Sequence, residues 1–149
     1  MKNTFEFLVD NARTVRDSAA RANEAALGLV RDCQGTLNQL VQYRTDYLAN
    51  APTSRTQPMS PDLLAQYHGF VARLDTAIQV QQAELERRTL FAAAATQRLM
   101  AQQKRLRSIE ALITRQNAAH QARAAQQEQR ASDEFAARRG FHMTAGGAA

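Results

Sequence analysis

Tryptophan is absent from this 149-residue chain, cysteine occurs once, proline three times and glycine six times, and aromatic residues make up only 6% of it. So few bulky rings cannot fill a thick globular core. The abundance of Ala, Gln and Arg suits long helices that share a thin seam. A lone cysteine, Cys33, excludes an internal disulfide and fits a reducing compartment. Long apolar runs are missing too: no stretch approaches the roughly 20 residues a helix needs to span a bilayer. The opening MKNTFEFLVDNAR lacks the basic and apolar regions of a secretory signal. The expectation is one cytoplasmic domain, residues 1–149, with no direct membrane insertion.

Catalytic constellations are also missing. His68, His120 and His142 are scattered, with no His-x-x-x-His or carboxylate–His metal spacing and no Gly-rich phosphate loop. Glu84 and Glu86 fall on different helical faces and cannot work as a pair. Cys33 occupies a seam position and reads as a buried small thiol, since no His or Lys pattern activates it. The chain is expected not to be an enzyme, and to have no catalytic residue, no cofactor and no metal.

What the chain does have is a run of helical seam positions spaced alternately three and four residues apart: Leu64, Tyr67, Val71, Leu74, Ile78, Gln81, Leu85, Arg88, Ala92, Ala95, Leu99, Gln102, Leu106, Ile109 and Ile113. Twelve of these fifteen are apolar and the register never slips, so one stripe faces a partner helix throughout. All three prolines lie in Ala51 to Pro61, APTSRTQPMSP, which breaks the pattern. The spacing predicts a helix over about 4–49, a Pro-rich turn at 51–61, a second helix over about 61–139 and a frayed tail at 140–149. Ser60, Pro61 and Asp62 supply an N-cap, a proline at the first helical position and an acid in the first turn. Arg138, Arg139 and Gly140 read as the other end.

The first helix carries a shorter seam, Phe5, Leu8, Ala12, Val15, Ala19, Ala22, Ala26, Val30, Cys33, Leu37, Leu40, Arg44 and Tyr47. Its steps from Ala22 to Ala26 to Val30 make a stutter, and Gly28 and Gly35 weaken the same region by about 1 kcal/mol each, so slack or bending is expected there. Two seams joined by a short loop fold back most simply as an all-α antiparallel two-helix coiled-coil hairpin. Starting the pairing at residues 49 and 62 sets Phe5 against Ile109, Val15 against Leu99, Cys33 by Ile78 and Leu40 between Val71 and Leu74. Ala19 and Ala22 then meet Ala92 and Ala95, small residues that let two backbones approach closely.

Helices of about 46 and 78 residues would measure ~70 and ~117 Å, so the second overhangs the first. From Glu110 to Arg139 it has no intramolecular partner, and its seam continues as the polar Gln116, His120, Arg123, Gln127 and Arg130. A lone helix of that kind is marginal in water. It is either a flexible arm or a segment that pairs in another protein's cavity. Most of the +5 net charge comes from the C-terminal third: residues 101–149 hold eight basic side chains against four acidic ones, while residues 1–50 hold six of each. Seventeen of the nineteen basic residues are Arg, suited to bidentate pairing with carboxylates or phosphates. In a basic-zipper protein the basic segment precedes the heptads, whereas here it follows them and is interleaved with acids. A solvated Arg-rich face is the better reading than a nucleic-acid reader.

Around the turn, Tyr43 and Tyr47 form a one-turn pair on the first helix, and Phe70, Leu63 and Val80 lie off the main stripe of the second. Two readings stand: aromatics plugging the end of a thin hairpin, or an exposed apolar patch that binds a partner. Phe91 and Met100 read as helix cover.

Over essentially its full length the chain resembles the FliJ family of flagellar type III export proteins. The resemblance rests on the helical hairpin, on the segments LVQYRTDYL and YHGFVARLDTAI around the turn, and on the late DEFAARR. It implies a non-enzymatic stalk similar to the coiled coil of the rotary ATPase gamma subunit. Such a stalk inserts its paired terminal end into a hexameric flagellar export ATPase, stimulates it, and links it to the cytoplasmic domain of the export-gate membrane protein and to flagellar export chaperones. The resemblance further implies a role in flagellum biogenesis, motility and chemotaxis, and a place in the cytoplasm peripherally associated with the inner-membrane export apparatus. A monomer is expected outside the complex. The family's gate-binding cluster maps to Leu40, Tyr43, Tyr47, Phe70, Leu74 and Ala77, with Thr36 and Gln81 departing from the family's Gln and His. The ATPase-facing end is expected to comprise Phe5, Leu8, Val15, Arg115, Arg123, Arg130, Arg138 and Arg139. Rival readings are the equivalent stalk of a virulence injectisome and a generic coiled-coil adaptor.

Overall fold

The computed structural model describes residues 2–51 and 60–146, with side chains from residue 4 onward. Two α-helices make up the described fold, α1 over Lys2–Ala49 and α2 over Pro61–Gly146, packed against each other as an all-α antiparallel hairpin. Most of the expected Pro-rich turn, 52–59, and the last residues of the expected tail, 147–149, lie outside the described residues.

The start of α2 follows the capping logic of its sequence. Ser60 Oγ accepts the backbone N–H of Leu63 at 3.3 Å, the Ser60 carbonyl accepts that of Leu64 at 3.1 Å, and Asp62 lies in the first turn. At the end of α1 the Asp46 carbonyl accepts both the backbone and the side-chain N–H of Asn50. The far end of α2 differs from expectation. The helix does not stop at Gly140 but runs on to Gly146, and no glycine among the described residues takes a left-handed conformation. One glycine costs a helix only about 1 kcal/mol. With no proline to follow it, the ladder propagates through, and Thr144 Oγ1 donates back to the carbonyls of Gly140 and Phe141.

The chain divides into two compact units, one of Thr14–Gln103 and one of Met1–Arg13 with Lys104–Ala149. Within the first, Ala26, Ala92 and Ala95 pack as a small-residue core with Val30 against it, and Cys33, Leu37 and Leu74 are buried. Each of the fifteen α2 seam positions from Leu64 to Ile113 is buried or half-buried.

The seam of α1 is more regular than its apolar residues suggest. Leu8 and Ala22 are exposed, while Val9, Arg16 and Asn23 are half-buried. The inward row is Phe5, Val9, Ala12, Arg16, Ala19, Asn23, Ala26, Val30, Cys33, Leu37, Leu40, Arg44 and Tyr47, alternating four and three without a stutter. A polar residue holds the place at position 23 because Asn23 Oδ1 accepts the Thr96 hydroxyl across the hairpin at 2.7 Å, which satisfies it in a half-buried site. Gly28 and Gly35 lie inside an unbroken helix.

Register is also corrected. Cys33 bonds to Gln81, one turn along α2 from Ile78, and Ala26, not Ala19 and Ala22, meets Ala92 and Ala95. In the other unit Arg13 reaches Glu110 at 3.5 Å. The alanine layer is thus displaced by about one helical turn from the expected pairing. At the closed end Tyr47 packs on Tyr67, within the expected register, and Arg44 pairs with Asp75.

Polar seam residues are accommodated individually. Gln81 Nε2 donates to Cys33 Sγ at 3.5 Å, and the Cys33 thiol donates to the Gln81 carbonyl at 3.7 Å. Arg88 donates to Glu84 at 2.7 Å and to the Leu29 carbonyl at 3.1 Å, while Arg87 grips the same carboxylate at 2.6 and 3.0 Å. Gln102 Oε1 is buried without a partner. The hydrogen bonds from Arg87, then those from Arg88, hold the Glu84 carboxyl at about 2, well below its ordinary 4.5. A carboxyl lowered on folding stabilises the fold fully above its ordinary value, and that contribution is lost as pH falls through the lowered one. Urea midpoints of the wild type and of Glu84→Gln should therefore differ by a constant amount near neutrality and converge as pH drops from about 4.5 towards 2. A gap that persists at the acid end would assign the difference to packing.

Candidate functional site

At the closed end of the Thr14–Gln103 unit, four rings cluster. Tyr47 stacks on Tyr67 with centroids 4.9 Å apart and planes 12° from parallel, and meets Phe70 at 4.7 Å and 50°. Tyr43 meets Phe70 edge-on at 6.2 Å and 73°. The Tyr67 hydroxyl donates to the Tyr47 carbonyl at 3.4 Å, and the Arg73 guanidinium lies 5.9 Å from the Phe70 ring centre.

The six cluster residues expected from sequence divide between two roles. Leu74 is buried, and Leu40 and Tyr47 are half-buried in the α1 seam. Tyr43 is 55% exposed, and Phe70 and Ala77 are half-buried off the seam. Tyr47 and Tyr67 thus stack at the closed end, with the exposed Tyr43 and the half-buried Phe70 beside them. Tyr67 is a member that spacing alone does not reveal, because it fits equally well as an ordinary seam position. Its i−4 neighbour Leu63, exposed, extends the same apolar end. Of the two departures, Thr36 is exposed and bonds back to the Asp32 carbonyl, whereas Gln81 is taken up inside the seam by Cys33.

The second candidate surface belongs to the other unit. Phe5, Val9 and Arg13 of α1 and Ile113, His120 and Arg123 of α2 line an open groove there, and Arg13 also pairs with Glu110. Phe5 is half-buried, whereas Leu8 points out at 39% exposure. Val15, expected with them, lies in the Thr14–Gln103 unit and is half-buried. The overhang expected from Glu110 begins a turn later, since Glu110 and Ile113 are both half-buried. From Thr114 to Gly146 every residue is exposed on a continuous helix. Arg115, Arg123, Arg130, Arg138 and Arg139 all lie on it, and Arg139 stacks over Phe135 at 5.6 Å.

The family profile described as the flagellar FliJ protein covers residues 1–144. The chain belongs to the FliJ family. Membership makes it a component of flagellar protein export, in keeping with the resemblance carried by its turn segments. No curated protein matches the chain. Among the described residues no helix is long and apolar enough to cross a membrane, and no group of three or more His, Cys, Asp or Glu is placed to hold a metal ion.

Proposed function

We propose that the protein is a non-enzymatic stalk of the flagellar export apparatus, engaging the hexameric export ATPase through its N- and C-terminal end and the export gate through the aromatic closed end. The observation that carries this reading is the helix from Thr114 to Gly146, on which every residue is exposed and which bears five arginines. A marginal helix of that length in water is stabilised by a partner. Arginines spread around it suit acidic loops of a ring, giving polar contacts that still allow turning or sliding. Tyr43, Phe70 and Ala77 supply the solvent-facing contacts at the gate end, and Leu40, Tyr47 and Leu74 hold them from within. Export chaperones are further partners in this reading.

The test is an ATPase assay. Hydrolysis by the flagellar export ATPase should rise several-fold on adding the full-length chain, and the gain should fall with ionic strength because the contact is Arg-rich. An unchanged rate at all salt concentrations would reject the stalk reading. Stimulation of an injectisome ATPase in preference to the flagellar enzyme would favour the rival stalk.

A further inference from the structure

Outside its hairpin seam α2 carries a second regular row. Ala77, Val80, Glu84, Arg87, Phe91 and Ala94 follow each other in alternating steps of three and four, which places them on one stripe about a third of a turn from the seam. All six belong to the Thr14–Gln103 unit. Val80 and Phe91 are 62% and 59% exposed, and no seam function accounts for either.

The row reads the same from both ends: small, bulky, charged, charged, bulky, small. We infer that this face binds a second copy of the same chain, antiparallel, about a two-fold axis passing between Leu85 and Glu86. In that arrangement Ala77 faces the second copy's Ala94, Val80 faces its Phe91, and Glu84 faces its Arg87, each contact occurring twice as an isologous interface requires. Charge chooses both the partner and the direction. A parallel pairing sets Glu84 on Glu84 and Arg87 on Arg87, whereas the antiparallel one sets acid on base at the centre. Arg87 is placed to serve both copies: its Nε and Nη2 grip its own Glu84, and the guanidinium has further N–H groups to offer across the axis. Arg88 holds Glu84 from the seam side, so the carboxylate is already oriented.

The next positions outward are Arg73 and Arg98, which the same two-fold brings together. That repulsion limits the contact to the stretch from Ala77 to Ala94, ~26 Å of helix. A strip of that length buries less than the ~800 Å² per partner of a standard interface, so the dimer is weak, with a dissociation constant on the order of tens of micromolar or above. Ala77 also belongs to the cluster at the aromatic closed end, so a partner seated there competes with the second copy.

Cross-linking tests the arrangement with the fold intact, since Val80 and Phe91 are exposed. A chain carrying both Val80→Cys and Phe91→Cys should form a covalent dimer under mild oxidation. Each single variant should form little, because identical residues sit ~16 Å apart across the axis, far beyond disulfide reach. Cys33 is buried, and the wild-type chain serves as its control. Sedimentation supplies the second arm. The weight-average mass should rise with concentration for the wild type, fall to that of a monomer for Glu84→Arg and for Arg87→Glu, and recover when both are combined. Cross-linking of the single variants as efficient as that of the double variant would overturn the antiparallel register. A wild-type mass that stays monomeric into the submillimolar range would overturn the dimer.

Discussion

A chain ending at Glu110 is expected to lose all stimulation of the export ATPase while its unfolding midpoint stays close to that of the full-length protein. The two outcomes separate because the deleted segment holds almost no buried surface. Every residue from Thr114 to Gly146 is exposed, and only Ile113, half-buried at the end of the seam, leaves the packed region. Losing part of one aliphatic side chain from a seam costs about 1 kcal/mol. The alanine core around Ala26 and the aromatic closed end keep all their partners. Far-UV circular dichroism would show the mean helicity fall by the contribution of the removed helix, with an unfolding transition near its original place. Undiminished stimulation by the truncated chain would sink the ATPase-facing role of the overhang. Loss of stimulation together with collapse of the fold would show that the overhang is instead part of the stable core, against the exposure seen along it.

The α2 stripe is legible in the sequence because twelve of its fifteen positions are apolar and nothing competes with them. The first half of the α1 stripe misleads for a definite reason. Judged by hydropathy alone, Leu8 is as good a seam residue as Val9, and Ala22 looks better than Asn23. A hydrogen bond from Thr96 to Asn23 reverses that preference, and such a pair can be recognised only once the two helices are set side by side. The same blindness moves the register. Counting from the helix ends keeps the Tyr47–Tyr67 stack in register but sets the alanine layer a turn too early along α1. Tyr43, Tyr47 and Phe70 are visible as a group from their spacing. Their separation into internal supports and solvent-facing edges is not, because it depends on which side of the seam each ring leaves. The helix beyond Gly140 is hidden by a glycine whose small local penalty the following turn absorbs.

The two registers part at Ala22, a seam position in the expected pairing and exposed in the structure, whereas Ala26 is inward in both. Enlarging Ala26 to Leu should destabilise the hairpin by about 2–3 kcal/mol, because three carbons must enter a layer packed for alanine on both sides. Ala26, Ala92 and Ala95 are only 2%, 4% and 6% exposed, and Val30 packs against the same cluster. Two long helices cannot separate at one layer alone, so the strain spreads to the neighbouring Cys33 and Leu37 layers, where side chains are also buried. Ala22→Leu should change the stability by less than about 0.5 kcal/mol, since Ala22 is exposed and Leu is nearly as good a helix former as Ala. From the α2 side, Ala92→Leu should behave like Ala26→Leu and the exposed Ala93→Leu like Ala22→Leu. Urea unfolding followed by circular dichroism measures all four. Were Ala22→Leu as costly as Ala26→Leu, the pairing counted from the helix ends would be correct, and the alanine core would have to reach a turn closer to the N-terminus of α1.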